Sequence, residues 1–214
     1  MKQIKLSPSS LNLFVECPRC FWLQINGISR PSGAFPSLPS GMDSILKKHF
    51  DKFMERNQLP PELKELKEYK LFNDKELLKI WRSNFKGLEY QDKGVLLHGA
   101  IDNLLIKGKK LVVLDYKTRG FPLKEDTHEH YIMQMSVYNF LLRKNGYQTV
   151  DYSYLLFYHP SHVLETGEVI FNTDLVKIKT SVKEGEKLFL KAVELINSEC
   201  PEKTKGCEWC GWND

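Results

Sequence analysis

The alternation of apolar and polar positions organises the chain around one short run, Leu111-Val112-Val113-Leu114, the apolar, β-branched pattern of a buried strand. Gly108-Lys109-Lys110 before it is a turn, so Leu96 to Ile106 and Leu111 to Lys117 are expected to form a hairpin. Tyr152 to Tyr158 predicts a third strand, stopped by His159-Pro160, with Val169-Ile170-Phe171 paired to it across a Gly-containing turn. Other stretches have helical spacing. Leu6-Ser7-Pro8-Ser9-Ser10 is a helix start, a serine cap followed by Leu11, Leu13 and Phe14. Met42, Ile45, Leu46, Phe50, Phe53 and Met54 predict a helix over 42–57, after a loop over 26–41 rich in Gly, Pro and Ser. Residues 58–93 are charged and helical in pattern, with Trp81 and Phe85 one turn apart beside Lys79, Arg82 and Lys86. A helix from Tyr131 to Lys144, ended by Gly146, and a long amphipathic helix over 175–198 complete the set. No internal repeat or low-complexity segment interrupts it.

Composition sets outer bounds. With 214 residues, 42% of them hydrophobic, the chain can bury one good core, and residues 1–214 are expected to form a single domain. Lys+Arg 31 against Asp+Glu 27 gives a net charge of +4, compatible with a nucleic-acid partner but specific to one only if the lysines cluster on one side. There is no apolar run of about eighteen residues and no signal-peptide core, so the expectation is a cytoplasmic protein with no membrane contact. Five cysteines, an odd number, argue against a disulfide framework and for thiolates held by a metal.

The candidate chemistry sits at the end of the 111–114 run. Side chains on a strand alternate faces, so Asp115 and Lys117 point the same way and Tyr116 the other; by the same rule His98, Ala100 and Asp102 share a face of the preceding strand. Asp102, Asp115 and the backbone carbonyl of Tyr116 form a candidate site for Mg²⁺ or Mn²⁺, with hard oxygen ligands and Lys117 beside them. An Asp-x-Lys alone is more often a solvated turn. Gln134 and Tyr138, at i and i+4, share one face of the 131–144 helix. The pairs Cys17-x-x-Cys20 and Cys207-x-x-Cys210 supply four thiolates that suit tetrahedral zinc or a 4Fe–4S cluster, as a staple between the two ends of the chain. Cys200 is the alternative fourth ligand, and the paired spacing favours Cys20. His128 and His130 invite a metal reading, but solvation is the better one for a loop or helix start.

The order Gly99-x-x-Asp102, Asp115-x-Lys117, Gln134-x-x-x-Tyr138 resembles the PD-(D/E)XK nuclease superfamily. Within it the chain is similar to the RecB-type exonuclease branch, including the CRISPR-associated RecB-like exonucleases, and Cys17-Pro18-Arg19-Cys20-Phe21 resembles the Cys-Pro-Arg-x-aromatic signature of that branch. The resemblance implies an α/β, restriction-endonuclease-like core, a mixed sheet flanked by helices, with a helical arm at 42–93, a catalytic core at 94–171 and a cysteine site at 14–23 and 200–212. It implies a metal-dependent DNA nuclease, an exonuclease on DNA ends or single strands in DNA repair, recombination or CRISPR adaptation, with a helicase or CRISPR-adaptation proteins as partners. Asp102 and Asp115 would hold the cation and Lys117 would orient or deprotonate the attacking water. Gln134 and Tyr138 would border the site, and Arg119, Lys124 and Tyr138 would contact DNA. The family takes its cluster ligands as one N-terminal and three C-terminal cysteines, here Cys17 with Cys200, Cys207 and Cys210, and makes 4Fe–4S the first choice and zinc the rival. The helix over 42–57 stands where relatives carry a metal-binding histidine four residues after a glycine. Here Gly41 is followed at that distance by Ile45, and His49 comes one turn later. His49 and Asp43 are the candidates for that ligand, or neither reaches the metal. The other reading is a nuclease-like DNA-binding or structural subunit that has lost cleavage.

Overall fold

A computed structural model describes residues 3–33 and 35–210. In chain order the first elements are β1 (Ile4–Leu6), α1 (Pro8–Glu16), α2 (Pro18–Ile25), α3 (Ser37–Glu55), β2 (Lys70–Leu71), α4 (Lys75–Trp81), β3 (Leu88–Asp92) and β4 (Val95–Gly99). There follow β5 (Asn103–Lys107), β6 (Lys110–Thr118), α5 (Ile132–Lys144), β7 (Tyr152–Val163), β8 (Val169–Lys179) and α6 (Val182–Ile196), with turns of 3-10 helix at Pro61–Leu63 and Thr127–Tyr131.

The main sheet has the order β2-β5-β6-β7-β8, so β6 lies at its centre. Only β6 and β7 run parallel, joined through α5, and the other pairs are antiparallel. A parallel pair needs a crossover of this kind, and α5 supplies it. A second sheet, β1-β4-β3, lies apart from the first in its pairing. Strand alternation divides β6 between two cores. Leu111 and Val113 pack with Leu155, Phe157 and the buried face of α5, whereas Val112, Leu114 and Tyr116 pack with Leu156, Tyr158 and Phe50 of α3. Covered on both faces, β6 is apolar until its last residues, where Asp115 and Lys117 project. Asp115 and Lys117 thus stand at the carboxyl end of the parallel pair, the end at which open α/β sheets commonly place ligands.

Ser7 caps α1 by accepting the Ser10 N–H at 3.2 Å, and Ser10 Oγ accepts the Ser7 N–H at 3.3 Å. Several sequence expectations give way. The strand expected over 96–106 is two strands in different sheets, broken between Gly99 and Asn103. Residues 42–93 are not a purely helical arm: α3 begins at Ser37, and β2 and β3 follow it, pairing with β5 and β4. His159-Pro160 does not stop β7; a register shift between Pro160 and His162 absorbs the proline, as bulges do. Residues 175–179 belong to β8, opposite β7, and α6 starts only at Val182. Trp81 is buried, whereas Phe85 is 89% exposed. Of the expected cysteine site, residues 211 and 212 lie outside the described residues.

Candidate active site

At the end of β6 a cleft of about 450 Å³ is lined by Ser7, Pro8 and Ser9 of the α1 start, Asp43 and Lys47 of α3, Asn84, His98, Ala100, Asp102, Asp115, Lys117, Gln134 and Tyr138. Of the residues expected to form a site, Asp102, Asp115, Lys117, Gln134 and Tyr138 meet in this cleft, whereas Tyr116, His49, Arg119 and Lys124 are not in its lining. His98, Ala100 and Asp102 share the cleft although the backbone leaves β4 between them.

The break is itself informative. A Cβ on Gly99 would stand 2.7 Å from Leu141 Cδ1 and 3.0 Å from Tyr138 Cε1, so the glycine of Gly99-x-x-Asp102 is what lets α5 close onto β4 and deliver Tyr138 to the cleft. Asp102 is then fixed from below. Its Oδ2 accepts the Tyr116 N–H at 3.2 Å, and Arg82 holds the Asp102 carbonyl at 2.7 Å while pairing with Asp51 of α3 at 2.7 Å.

Asp115 is 2% exposed. Lys117 Nζ lies 2.6 Å from its Oδ2 as an ion pair, yet no well-aligned hydrogen bond reaches that oxygen. Burial pushes the Asp115 carboxyl up to about 7; the Lys117 ammonium opposes that, and the neighbouring Asp102 charge adds to it. Lys117 is held as an ammonium: burial works against its charge, but Asp115 and Asp102 outweigh burial. From Lys117 a chain of contacts continues to Gln134 Oε1 at 3.2 Å, and from Gln134 Nε2 to the Tyr138 hydroxyl at 2.9 Å. The ring of Tyr131, 4.7 Å from Lys117 Nζ, completes its surroundings.

A divalent cation fits this donor set. Asp102 and Asp115 line the same cleft, and both offer hard oxygen donors.

The α3 residues in the cleft are Asp43 and Lys47, and His49 is not among them. The His49 imidazole instead pairs with Glu62 at 3.0 Å and packs on Phe50 and Phe53, because on a helix residues 43 and 47 share a face that residue 49 does not. Lys47 was not foreseen; its only sequence signal is its i,i+4 spacing from Asp43. Its ammonium lies 2.8 Å from Asp43 Oδ2 and 3.1 Å from Asp102 Oδ1. Arg119 and Lys124 lie outside the cleft lining: Arg119 is half-buried after β6, and Lys124 is exposed. His128 and His130 fall on the 3-10 turn before α5, away from the cleft lining.

A second cluster joins the chain ends. The sulfurs of Cys17, Cys20, Cys207 and Cys210 lie within 4.8 Å of one another, the one such group of three or more His, Cys, Asp or Glu ligand atoms among the described residues. Cys17 and Cys210 approach to 3.3 Å, and Cys20 and Cys207 to 3.7 Å. Cys200 is exposed and outside the cluster, beside Arg19 at 3.5 Å, so of the two fourth-ligand candidates the fold brings in Cys20. Burial opposes a thiolate at Cys17, but hydrogen bonds from Thr204, the Cys20 N–H and Cys210 outweigh it and bring the thiol down to about 6. Arg30 donates to Cys207 Sγ at 3.3 Å. Four soft donors with one thiol already drawn toward its anion suit a soft metal or cluster.

No helix among the described residues is long and apolar enough to cross a membrane. None of the curated proteins compared with this sequence matches it. The PD-(D/E)XK nuclease superfamily does: its model matches residues 40–214, which span most of α3, the whole main sheet, α5 and the C-terminal cysteines. The chain belongs to the PD-(D/E)XK nuclease superfamily.

Proposed function

We propose that the protein is a metal-dependent deoxyribonuclease of the RecB-like type, an exonuclease that trims DNA ends or single strands during DNA repair, recombination or CRISPR adaptation. The observation that carries this reading is the meeting of Asp102, Asp115, Lys117, Gln134 and Tyr138 in one open cleft at the end of β6. Asp102 and Asp115, with the Tyr116 carbonyl, would hold the cation, Mg²⁺ or Mn²⁺. When bound, that ion supplies Lewis acidity toward a scissile phosphate and a water of lowered pKa. Lys117, paired with Asp115, would orient or deprotonate the attacking water and screen the charge that develops on the phosphate. Gln134 fixes the Lys117 ammonium and the Tyr138 hydroxyl in one line, and so sets their spacing to the substrate.

The DNA preference rests on the chemistry of the cleft wall. Its lysines suit phosphate, and Tyr138 suits the backbone or a base face; Arg119 and Lys124 extend the same chemistry outside it. End-labelled single-stranded, blunt and closed circular DNA and end-labelled RNA, each with Mg²⁺, with Mn²⁺ and with EDTA, test the reading. Metal-dependent trimming of free ends, with circles spared and sequence contexts cut alike, is the expected result. Cutting of circles or a preference for RNA contradicts it, and binding without cleavage assigns the chain to an inactive DNA-binding subunit.

The cysteine cluster is proposed as a structural metal site with no open coordination position. Four thiolates around one tetrahedral ion at about 2.3 Å lie roughly 3.8 Å apart, close to the 3.3 and 3.7 Å pairs here. A 4Fe–4S cluster, with its own four irons and sulfides at the centre, spreads its thiolates wider. The spacing therefore supports zinc over the iron–sulfur cluster that kinship suggests. Elemental analysis of anaerobically purified protein decides: zinc near one per chain is expected, and iron with acid-labile sulfide reverses the choice.

A further inference from the structure

The charge arrangement in the cleft gives α3 a role of its own. Three carboxylates, Asp43, Asp102 and Asp115, line the cleft with two ammonium groups, Lys47 and Lys117. Each acid of the proposed cation site is met by one of them: Asp115 by Lys117 at 2.6 Å and Asp102 by Lys47 at 3.1 Å. Both oxygens of Asp102 are in fact committed, Oδ2 to the Tyr116 N–H and Oδ1 to Lys47. The first of these is backbone and fixed by the strand. The second is the tip of a flexible four-carbon stem.

We propose that Lys47 occupies the oxygen of Asp102 that a divalent cation uses, is displaced when the cation binds, and then serves as a phosphate-binding residue in the wall of the cleft. The inference rests on the cation-site reading above. Lys47 has a second partner in Asp43, 2.8 Å away and one helical turn back on α3. Release from Asp102 therefore leaves the ammonium tethered in the cleft rather than free in solvent. A monovalent charge on a side chain 21% exposed gives way to a divalent ion at a hard oxygen, because the ion gains more from that oxygen than the ammonium does. The balance of charge changes in the same step: a cleft with more carboxylates than ammonium groups becomes one suited to a polyanion. Metal loading and phosphate binding are thereby coupled through one side chain.

The test measures Mn²⁺ affinity by calorimetry, with the Asp115→Asn protein as the blank that removes signal from other sites, and turnover at saturating Mn²⁺. Lys47→Met keeps the apolar stem and removes the competing charge. It is expected to bind Mn²⁺ about three- to tenfold more tightly and to turn over about ten- to a hundredfold more slowly at saturating metal. Lys47→Arg, which keeps the charge, should hold Mn²⁺ affinity within about twofold of wild type. A lysine that merely supports the fold would weaken both properties together. Unchanged or weaker Mn²⁺ binding in Lys47→Met and also in Lys47→Gln, each checked by circular dichroism, overturns the proposal while leaving the cation site intact. Wild-type protein with no Asp115-dependent Mn²⁺ binding overturns the site reading itself, and this inference with it.

Discussion

His98 shows how one buried side chain reports on the cleft. It is buried, with Nε2 3.3 Å from the Ser83 carbonyl, and burial, then the charge of Lys5, hold its imidazole below the ordinary value of 6.5. A base whose protonated form is disfavoured in the folded state contributes its stability above the unfolded pKa and loses it as pH falls through the folded one. The melting temperature is therefore expected to hold above about pH 6.5 and to decline on acidification below it. His98→Gln should flatten that part of the profile. An unchanged acid limb in the variant would show that the decline comes from other groups. At the same scale, sequence spacing revealed Asp115 and Lys117 because strand alternation places them together, and Gln134 with Tyr138 because helical spacing does. Lys47 stayed hidden, since a lysine four residues after an aspartate marks most solvated helix faces equally well.

At the scale of the element, the break between β4 and β5 carries more than either strand. Leu96-Leu97 and Leu104-Leu105-Ile106 are both apolar strand runs, and nothing local says that they pair in different sheets. Gly99 is the legible trace of it. Gly99→Ala should press on Leu141 and the Tyr138 ring, with a destabilisation of about 1–3 kcal/mol by chemical denaturation, and lower cleavage by displacing Tyr138. Wild-type stability and turnover would show that α5 has room to spare. The helix α5 itself was readable almost to the residue and is closed by Gly146 at φ +86°. The stretch over 175–179 was not, because its apolar residues suit a helix as well as a strand until β7 is there to pair with it.

Across the whole molecule, two long-range constructions stand out, the mixed sheet that presents the cleft and the cysteine cluster that fastens residues 17 and 20 to 207 and 210. Two Cys-x-x-Cys pairs made that cluster legible, and Cys200 stands exposed outside it. Cys207→Ser should lose bound metal and at least about 3 kcal/mol of stability, roughly 6–12 °C in melting temperature for a chain of this size. Cys200→Ser should change neither. The reverse pattern would return Cys200 to the ligand set. Cleavage is expected to depend on the buried carboxylate at the end of β6, and comparing Asp115→Asn with wild type for cleavage of end-labelled single-stranded DNA in Mn²⁺, alongside circular dichroism, measures that dependence. The expected result is loss of cleavage by about a hundredfold or more with the fold retained, and loss of wild-type activity in EDTA. Cleavage at the wild-type rate by folded Asp115→Asn protein would contradict the account.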